Sequence, residues 1–366
     1  MFKKYFSFCL LWMNALFVCM LLLSTYLPSF NPATFWLPGF IGLLFPFLFL
    51  LNLLLIAVWA LTKQTREMMI AIFAALCCLP AAFTTWGMHR MLDNDALLKQ
   101  HDNKSFTLMT FNTSSMGLTA YVTDKAKESA IYNAIADTSP DILCLQEFYT
   151  NEQTGKEKHI DSIKMKGNYP HYYFTRDKIH WDTWCYGIIL FSKYPIIDAA
   201  AVPCGKSEFG SGSSFLQADL LINEDTIRIF SVQLTSYMFN NQDYDNMKAP
   251  KGKGIFSKMR RTFAQRSQQA LQLQELIAVS PYPVVVCGDF NDTPVSFTYR
   301  TISSNLQDAF LSTQFGWGRT LSFLSPSLRI DYILPQRRFT VHGSKTLKVA
   351  PSEHFPLIAR LSLKKD

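Results

Sequence analysis

Charge is nearly absent from the first 88 residues, where only Lys3, Lys4, Lys63, Arg66 and Glu67 carry any. That stretch and the remainder of the 366-residue chain need different solvents. Apolar runs at residues 5–27, 35–61 and 68–88 fill the space between the charges. Each reaches the roughly 20 residues that cross a bilayer, so three transmembrane helices are expected. No A-x-A-like site follows the first run, which excludes a cleaved secretory signal despite Lys3 and Lys4. Asn14 and Asn52 fall inside the runs and are read as helix-packing groups. The loop at 28–34 has no charge, whereas the amino end and the loop holding Lys63 and Arg66 are basic. Basic segments stay cytoplasmic, and three crossings then put the rest of the chain outside.

The rest is short of other signals. Once four bases and one acid of the first 88 residues are set aside, 31 Lys and Arg face 27 acids. An excess of +4 is too small to imply a nucleic-acid partner by itself. The eight cysteines lack any metal-binding spacing. Cys144 and Cys287 fall within expected strands as small core residues, while Cys185 and Cys204 are the pair available to a disulfide in an oxidising compartment. Internal repeats and low-complexity tracts are absent.

What is present is a set of strands that end in polar residues. Residues 284–294 read V-V-V-C-G-D-F-N-D-T-P, a short buried strand stopped at Gly288. If the backbone stays extended beyond it, Asp289 and Asn291 project to one side and Phe290 to the other. A carboxylate and an amide on one rim suit a hard cation or a phosphate together with a held water. The polar stretch at 89–104 reads as a linker standing the following domain off the membrane. Residues 106–112 form a strand ending at Asn112, and a helix at 123–136 follows with Thr123 or Asp124 as its cap. A strand at 142–145 ends in Gln146-Glu147. Segments 215–221 and 226–234 make a hairpin whose exit carries Gln233. An amphipathic helix spans 257–279, and its start is crowded with bases including Arg260 and Arg261. Asp331 lies in a strand at 328–334, and Ser352-Glu353-His354 precedes the last strand at 357–363. Mixed strands with few helices imply packed sheets covered by helices.

Taken in order, T-F-N, L-Q-E, G-D-F-N-D, R-I-D-Y-I and S-E-H resemble the endonuclease/exonuclease/phosphatase superfamily, the deoxyribonuclease I-like fold, over residues 106–363. The resemblance implies an α/β (α+β) four-layered sandwich, two packed β-sheets flanked by helices, preceded here by the three transmembrane helices. Domain limits are then 1–88 for the membrane part, 89–104 for the linker and 105–366 for the catalytic part. By the same resemblance Glu147 is the main metal ligand, with Asn112 beside it and Glu353 in the metal set. Asp289 deprotonates the attacking water, Asn291 holds a phosphate oxygen, and His354, oriented by Asp331, serves the phosphoryl centre. Gln233 adds a contact to substrate phosphate, and apart from the resemblance the basic run through the loop before residue 253 and the helix start, Arg260 and Arg261 included, is read as receiving substrate phosphates. Oxygen ligands suit Mg²⁺, with Mn²⁺ as its substitute. The chain departs from the family pattern in having Glu353 where Asp is usual and Gln233 where His is common.

The implied activity is that of a membrane-anchored, metal-dependent phosphoesterase acting on phosphodiester bonds, with a nuclease role foremost. A lipid phosphodiesterase of the sphingomyelinase or inositol-phosphatase type is the alternative, since residues 5–88 keep the domain near headgroups. A non-catalytic membrane-tethered binding protein is the alternative of another class. Expected partners are a nucleic acid or a phospholipid headgroup, and the bilayer itself.

Overall fold

The computed structural model describes residues 2–89, 104–154, 158–205, 213–237, 253–323 and 327–364. The apolar amino-terminal runs become helices α1 (Phe2–Tyr26), the short α2 (Leu37–Ile41), α3 (Phe45–Leu61) and α4 (Thr65–Thr85). A 3₁₀ turn at Gly42–Leu44 separates α2 from α3, and Pro46 sits in the first turn of α3, where its missing N–H costs nothing. Three helical stretches are long and apolar enough to cross a membrane: Leu10–Ser29, Leu37–Leu61 and Thr65–Thr85. Both buried asparagines bridge helices. Asn14 Nδ2 donates to Glu67 O at 3.2 Å and Asn14 Oδ1 accepts from Trp59 Nε1 at 3.2 Å, while Asn52 Nδ2 donates to Ala71 O at 3.0 Å. They act as packing groups, as their place in apolar runs implies.

Two sheets form the rest. One has the order β14 (Asp331–Pro335), β12 (Val284–Asp289), β11 (Asp225–Gln233), β10 (Ser214–Ile222) and β9 (Ile196–Pro203). The other has the order β15 (Phe339–Thr346), β16 (Leu357–Leu363), β2 (Ser105–Asn112), β5 (Ile142–Asn151), β8 (Trp184–Ser192) and β6 (His171–Phe174), with β7 (Lys178–His180) paired to β8. Only β2 with β5 and β11 with β12 run parallel within these two sheets, so both sheets are mixed. Alternation along the strands builds the layers. Leu108, Ile142, Cys144, Val285 and Cys287 point between the sheets into a core shared with β10 and β11. Met109, Phe111, Leu143 and Leu145 point the other way, against helices Lys125–Thr138 and His159–Gly167. Val284 and Val286 do the same against helices Lys253–Ala278 and Phe297–Ser303. The outcome is helices, sheet, sheet, helices. Asp124 caps the first of those helices, accepting from Ala126 N at 3.0 Å and Lys127 N at 3.2 Å.

Three features differ from the sequence-based expectations. The strand expected to stop before Gln146-Glu147 continues to Asn151, because a bulge between Leu145 and Phe148 absorbs the extra residue. Cys185 and Cys204 are free thiols. The two-sheet part also packs directly on the helix ends: β1 (Gly87–Met88) pairs with β13 (Phe315–Gly316), and Trp86 meets Trp317 edge-on at 4.7 Å. Most of the expected linker, 90–103, lies outside the described residues, as does most of the basic loop before Lys253.

Candidate active site

Strand register brings the polar strand ends together. Gln233 pairs with Asp289 across the parallel β11 and β12, and Asp289 faces Asp331 across the antiparallel β12 and β14. On the other sheet Asn112 pairs with Gln146, next to the bulge that carries Glu147. The two groups meet at one end of the sandwich, where Asn112 Nδ2 reaches Asp289 Oδ2 at 3.0 Å and Glu147 Oε1 at 3.2 Å. Buried Gln146 stitches the sheets below them, accepting from Thr110 Oγ1 at 3.2 Å and donating to Ser231 Oγ at 3.0 Å.

Backbone conformation re-aims these side chains. Glu147 has φ 47° and Asn291 φ 53°, both in the left-handed region. Asparagine tolerates that region; for Glu147 the bulge holds a conformation that costs on the order of 1 kcal/mol or more. The run after β12 therefore turns and does not stay extended, yet Asp289 and Asn291 still share a rim. Asp289 Oδ1 accepts from Asn291 N at 2.8 Å, and Oδ2 accepts from Asn291 Nδ2 at 3.2 Å as well as from Asn112. These bonds take three of the roughly four acceptor positions of a carboxylate and leave one for another donor.

Glu147 Oε1 also accepts from Gln233 Nε2 at 2.5 Å. Gln233 thus orients Glu147 through a hydrogen bond from its neutral amide. His354 is buried and lies with Nδ1 3.1 Å from Asp331 Oδ2, which leaves Nε2 for the cavity it lines. Asp331 is held in turn, its N–H donating to Thr320 Oγ1 at 3.1 Å. One ligand atom each of Asp289, Asp331 and His354 lies within 4.8 Å of the others.

Burial pushes the Asp289 carboxyl up to about 7; Asp331 adds to the rise, while His354, Asn112 and the Asn291 N–H oppose it. Burial alone would lower His354, but the charge and hydrogen bond of Asp331, with Asp289 and Glu147, raise it to about 10. Both values lie above those of the unfolded chain, about 3.9 and 6.5. The stability each group contributes is full below its unfolded value and is lost as pH rises through about 7 for Asp289 and about 10 for His354. The chelated protein should therefore melt at steadily lower temperature as pH rises from 6.5 to 10. A melting midpoint that climbs over this interval in calorimetry would refute the coupling.

Not every residue singled out from the sequence joins the cluster. Asn112, Glu147, Gln233, Asp289, Asn291, Asp331 and His354 come together. Glu353 lines the same cavity, but its carboxylate pairs with Lys127 Nζ at 2.8 Å and is half exposed. Arg260 and Arg261 are exposed on the helix Lys253–Ala278 and do not line the cavity. Sequence reading passed over Asp292, which pairs with the buried Arg266 at 3.2 Å, and the residues of α3 and the turn before it that reach the cavity. The first had a signal, since Asp292 belongs to G-D-F-N-D; the second had none.

The donor chemistry fits a hard divalent cation. Glu147 offers carboxylate oxygen to a cavity with an acidic lining, Asn112 beside it keeps a second lone pair on the Oδ1 that accepts from Ser114 N at 3.0 Å, and no cysteine lines the cavity among the described residues.

A family model described as "Endonuclease/Exonuclease/phosphatase family" matches residues 109–354. A second, described as a domain of unknown function, matches residues 5–85. No curated protein matches the chain significantly. Among solved structures, an endonuclease/exonuclease/phosphatase from Beutenbergia cavernae DSM 12333 is 17% identical with a TM-score of 0.51, over 71% of this chain and 72% of that one. The human Nocturnin catalytic domain with bound sulfate is 17% identical with a TM-score of 0.50, over 71% of this chain and 95% of its own. ANGEL2, a 2',3'-cyclic phosphatase in complex with adenosine-2',3'-vanadate, is 17% identical with a TM-score of 0.50, over 73% and 98%. At such identity the likeness is one of fold.

Proposed function

The chain belongs to the endonuclease/exonuclease/phosphatase family, and on that premise we propose that it is a membrane-anchored, divalent-metal-dependent phosphodiesterase. Members of the family are hydrolases that act on phosphoester bonds. The observation that carries the reading is the Asp289–Asp331–His354 cluster, joined to Glu147 through Asn112, at a cavity that Asp289, His354 and Glu147 line, because phosphoryl transfer needs a base, a donor and a cation in fixed relation.

Glu147 and Asn112 are the residues to hold Mg²⁺ or Mn²⁺, with Gln233 orienting Glu147. When bound, the cation supplies positive charge that favours the ionised form of Asp289 and offsets charge gathering on the phosphoryl oxygens. Asp289 uses its remaining acceptor position to take a proton from the attacking water. Asn291 donates its amide to Leu234 O at 2.9 Å and to Asp289 Oδ2 at 3.2 Å, and exchanges the weaker of these for a non-bridging phosphate oxygen when substrate binds. His354, held through Nδ1 by Asp331, gives a proton from Nε2 to the departing alkoxide. The water oxygen bonds to phosphorus, the ester P–O bond opens, and a phosphomonoester and an alcohol leave.

In this reading the three helical stretches between Leu10 and Thr85 anchor the protein, and the basic residues at the amino end and at Lys63 and Arg66 support an outside position for the catalytic part.

Two results test this. Hydrolysis in ¹⁸O-water should leave one heavy oxygen on the phosphomonoester product, whereas label found in the alcohol would refute attack at phosphorus. Glu147→Gln should weaken Mn²⁺ binding by tenfold or more in titration calorimetry, since a neutral amide replaces the anionic ligand. Unaltered affinity would move the cation elsewhere.

A further inference from the structure

The catalytic part and the membrane helices share one cavity. Asp289 and His354 line a space of about 600 Å³ that is also lined by Leu43 and Leu44 of the turn before α3 and by Pro46 and Phe47 of its first turn. Leu44 and Phe47 are exposed. Nothing in phosphoester chemistry calls for four apolar side chains from a membrane helix at that distance.

The arrangement is built into the dock. Arg300 Nη2 donates to Thr25 O at 3.0 Å, at the end of α1, and the fully buried Arg329 donates to Thr84 O at 2.8 Å, at the end of α4. Cations at two helix carboxyl ends are electrostatically favoured. Phe263 packs on Phe40 at 5.0 Å between ring centres, and a Cβ on Gly39 would lie 2.7 Å from the Phe263 ring. The ends of α1 and α4 and the start of α3 lie on one side of the helix group. If the helices cross a bilayer, the cavity opens at the level of its nearer leaflet.

Charge narrows the occupant. Among the described residues no Lys or Arg lines the cavity, while Glu147, Asp289, Asp292 and Glu353 do. A polyanion needs a track of bases to neutralise successive phosphates. A single phosphodiester beside an apolar chain needs a cation for the one and hydrocarbon contacts for the other. We infer that the substrate is a bilayer lipid with one phosphodiester and a headgroup of low net charge, its phosphate at Glu147, Asp289 and His354 and its apolar part along Leu43, Leu44, Pro46 and Phe47. The inference rests on the phosphodiesterase reading for its chemistry. The lipid enters sideways from the leaflet, water opens a P–O ester bond as above, and the apolar product returns to the bilayer.

The full chain in nanodiscs tests it with two readouts. A phosphatidylcholine carrying a diazirine near the ester end of one acyl chain should label Met259, Leu321 or Leu328, which belong to the catalytic part and to the cavity wall. Leu44→Gln with Phe47→Gln should cut that labelling severalfold. The same pair should lower the ratio of phosphatidylethanolamine turnover to bis-p-nitrophenyl phosphate turnover by tenfold or more. Soluble-ester hydrolysis without labelling of the catalytic part, a ratio unmoved by the double substitution, or cleavage of DNA in place of lipid would overturn the lipid assignment while leaving the phosphodiesterase intact. Loss of soluble-ester hydrolysis in the wild type would strike the phosphodiesterase reading instead, and labelling would still judge the lipid site.

Discussion

Asp289→Asn should lower kcat on any accepted phosphodiester by about 10²- to 10⁴-fold, the range that removal of a general base produces. The amide keeps the shape of the carboxylate and removes its basicity. His354→Ala should fall in the same range, because the departing alkoxide then leaves unprotonated. The double variant should be little worse than either single one, since both groups serve the same transition state. Losses that multiply would mean that the two act in separate steps. Asp331→Asn should be milder in the ground state and visible in the pH profile, for it removes the charge that raises His354 to about 10.

Gly288→Ala is expected to cost on the order of 4 kcal/mol or more of stability. Gly288 has φ 134°, and a Cβ there would stand 1.9 Å from Val232 O, a backbone atom of the neighbouring strand that cannot rotate away. Both the conformation and the close approach require glycine. Relief would mean parting β11 from β12, the pair that sets Gln233 beside Asp289. Circular dichroism and thermal melting of the full chain should therefore show loss of the fold or a large drop in midpoint. A variant that melts like the wild type would contradict the close approach of the two strands.

Much of the site could be read from the sequence because its parts are short, polar and placed at strand ends. G-D-F-N-D and R-I-D-Y-I lie on adjacent strands, and register alone sets Asp289 opposite Asp331. Glu147 was legible as a residue but not in its backbone: a bulge is an extra residue in a pairing, and one strand alone does not reveal what it pairs with. Glu353 shows the same limit for charge. Its partner Lys127 lies 226 positions away on a helix surface, and only the folded chain brings the two to 2.8 Å. Arg260 and Arg261 read as phosphate contacts because basic residues cluster there, yet their turns of the helix face solvent. Hydropathy marked the membrane runs without revealing that α2 and α3 part at Gly42–Leu44, which brings Leu43 and Leu44 to the cavity. Polar composition at 89–104 suggested a standoff, whereas Trp86, Gly87 and Met88 are already bound to the catalytic part.

In the proposed phosphodiesterase one cavity brings together the base Asp289, the proton donor His354 and the metal ligand Glu147. The most direct measurement is release of p-nitrophenolate from bis-p-nitrophenyl phosphate by the full chain in nanodiscs, with EDTA, with Mg²⁺ or Mn²⁺ restored, and beside Asp289→Asn. Release that stops with EDTA, returns with the metal and is lost in the variant is the expected result; release that persists in the folded Asp289→Asn protein would contradict the assignment.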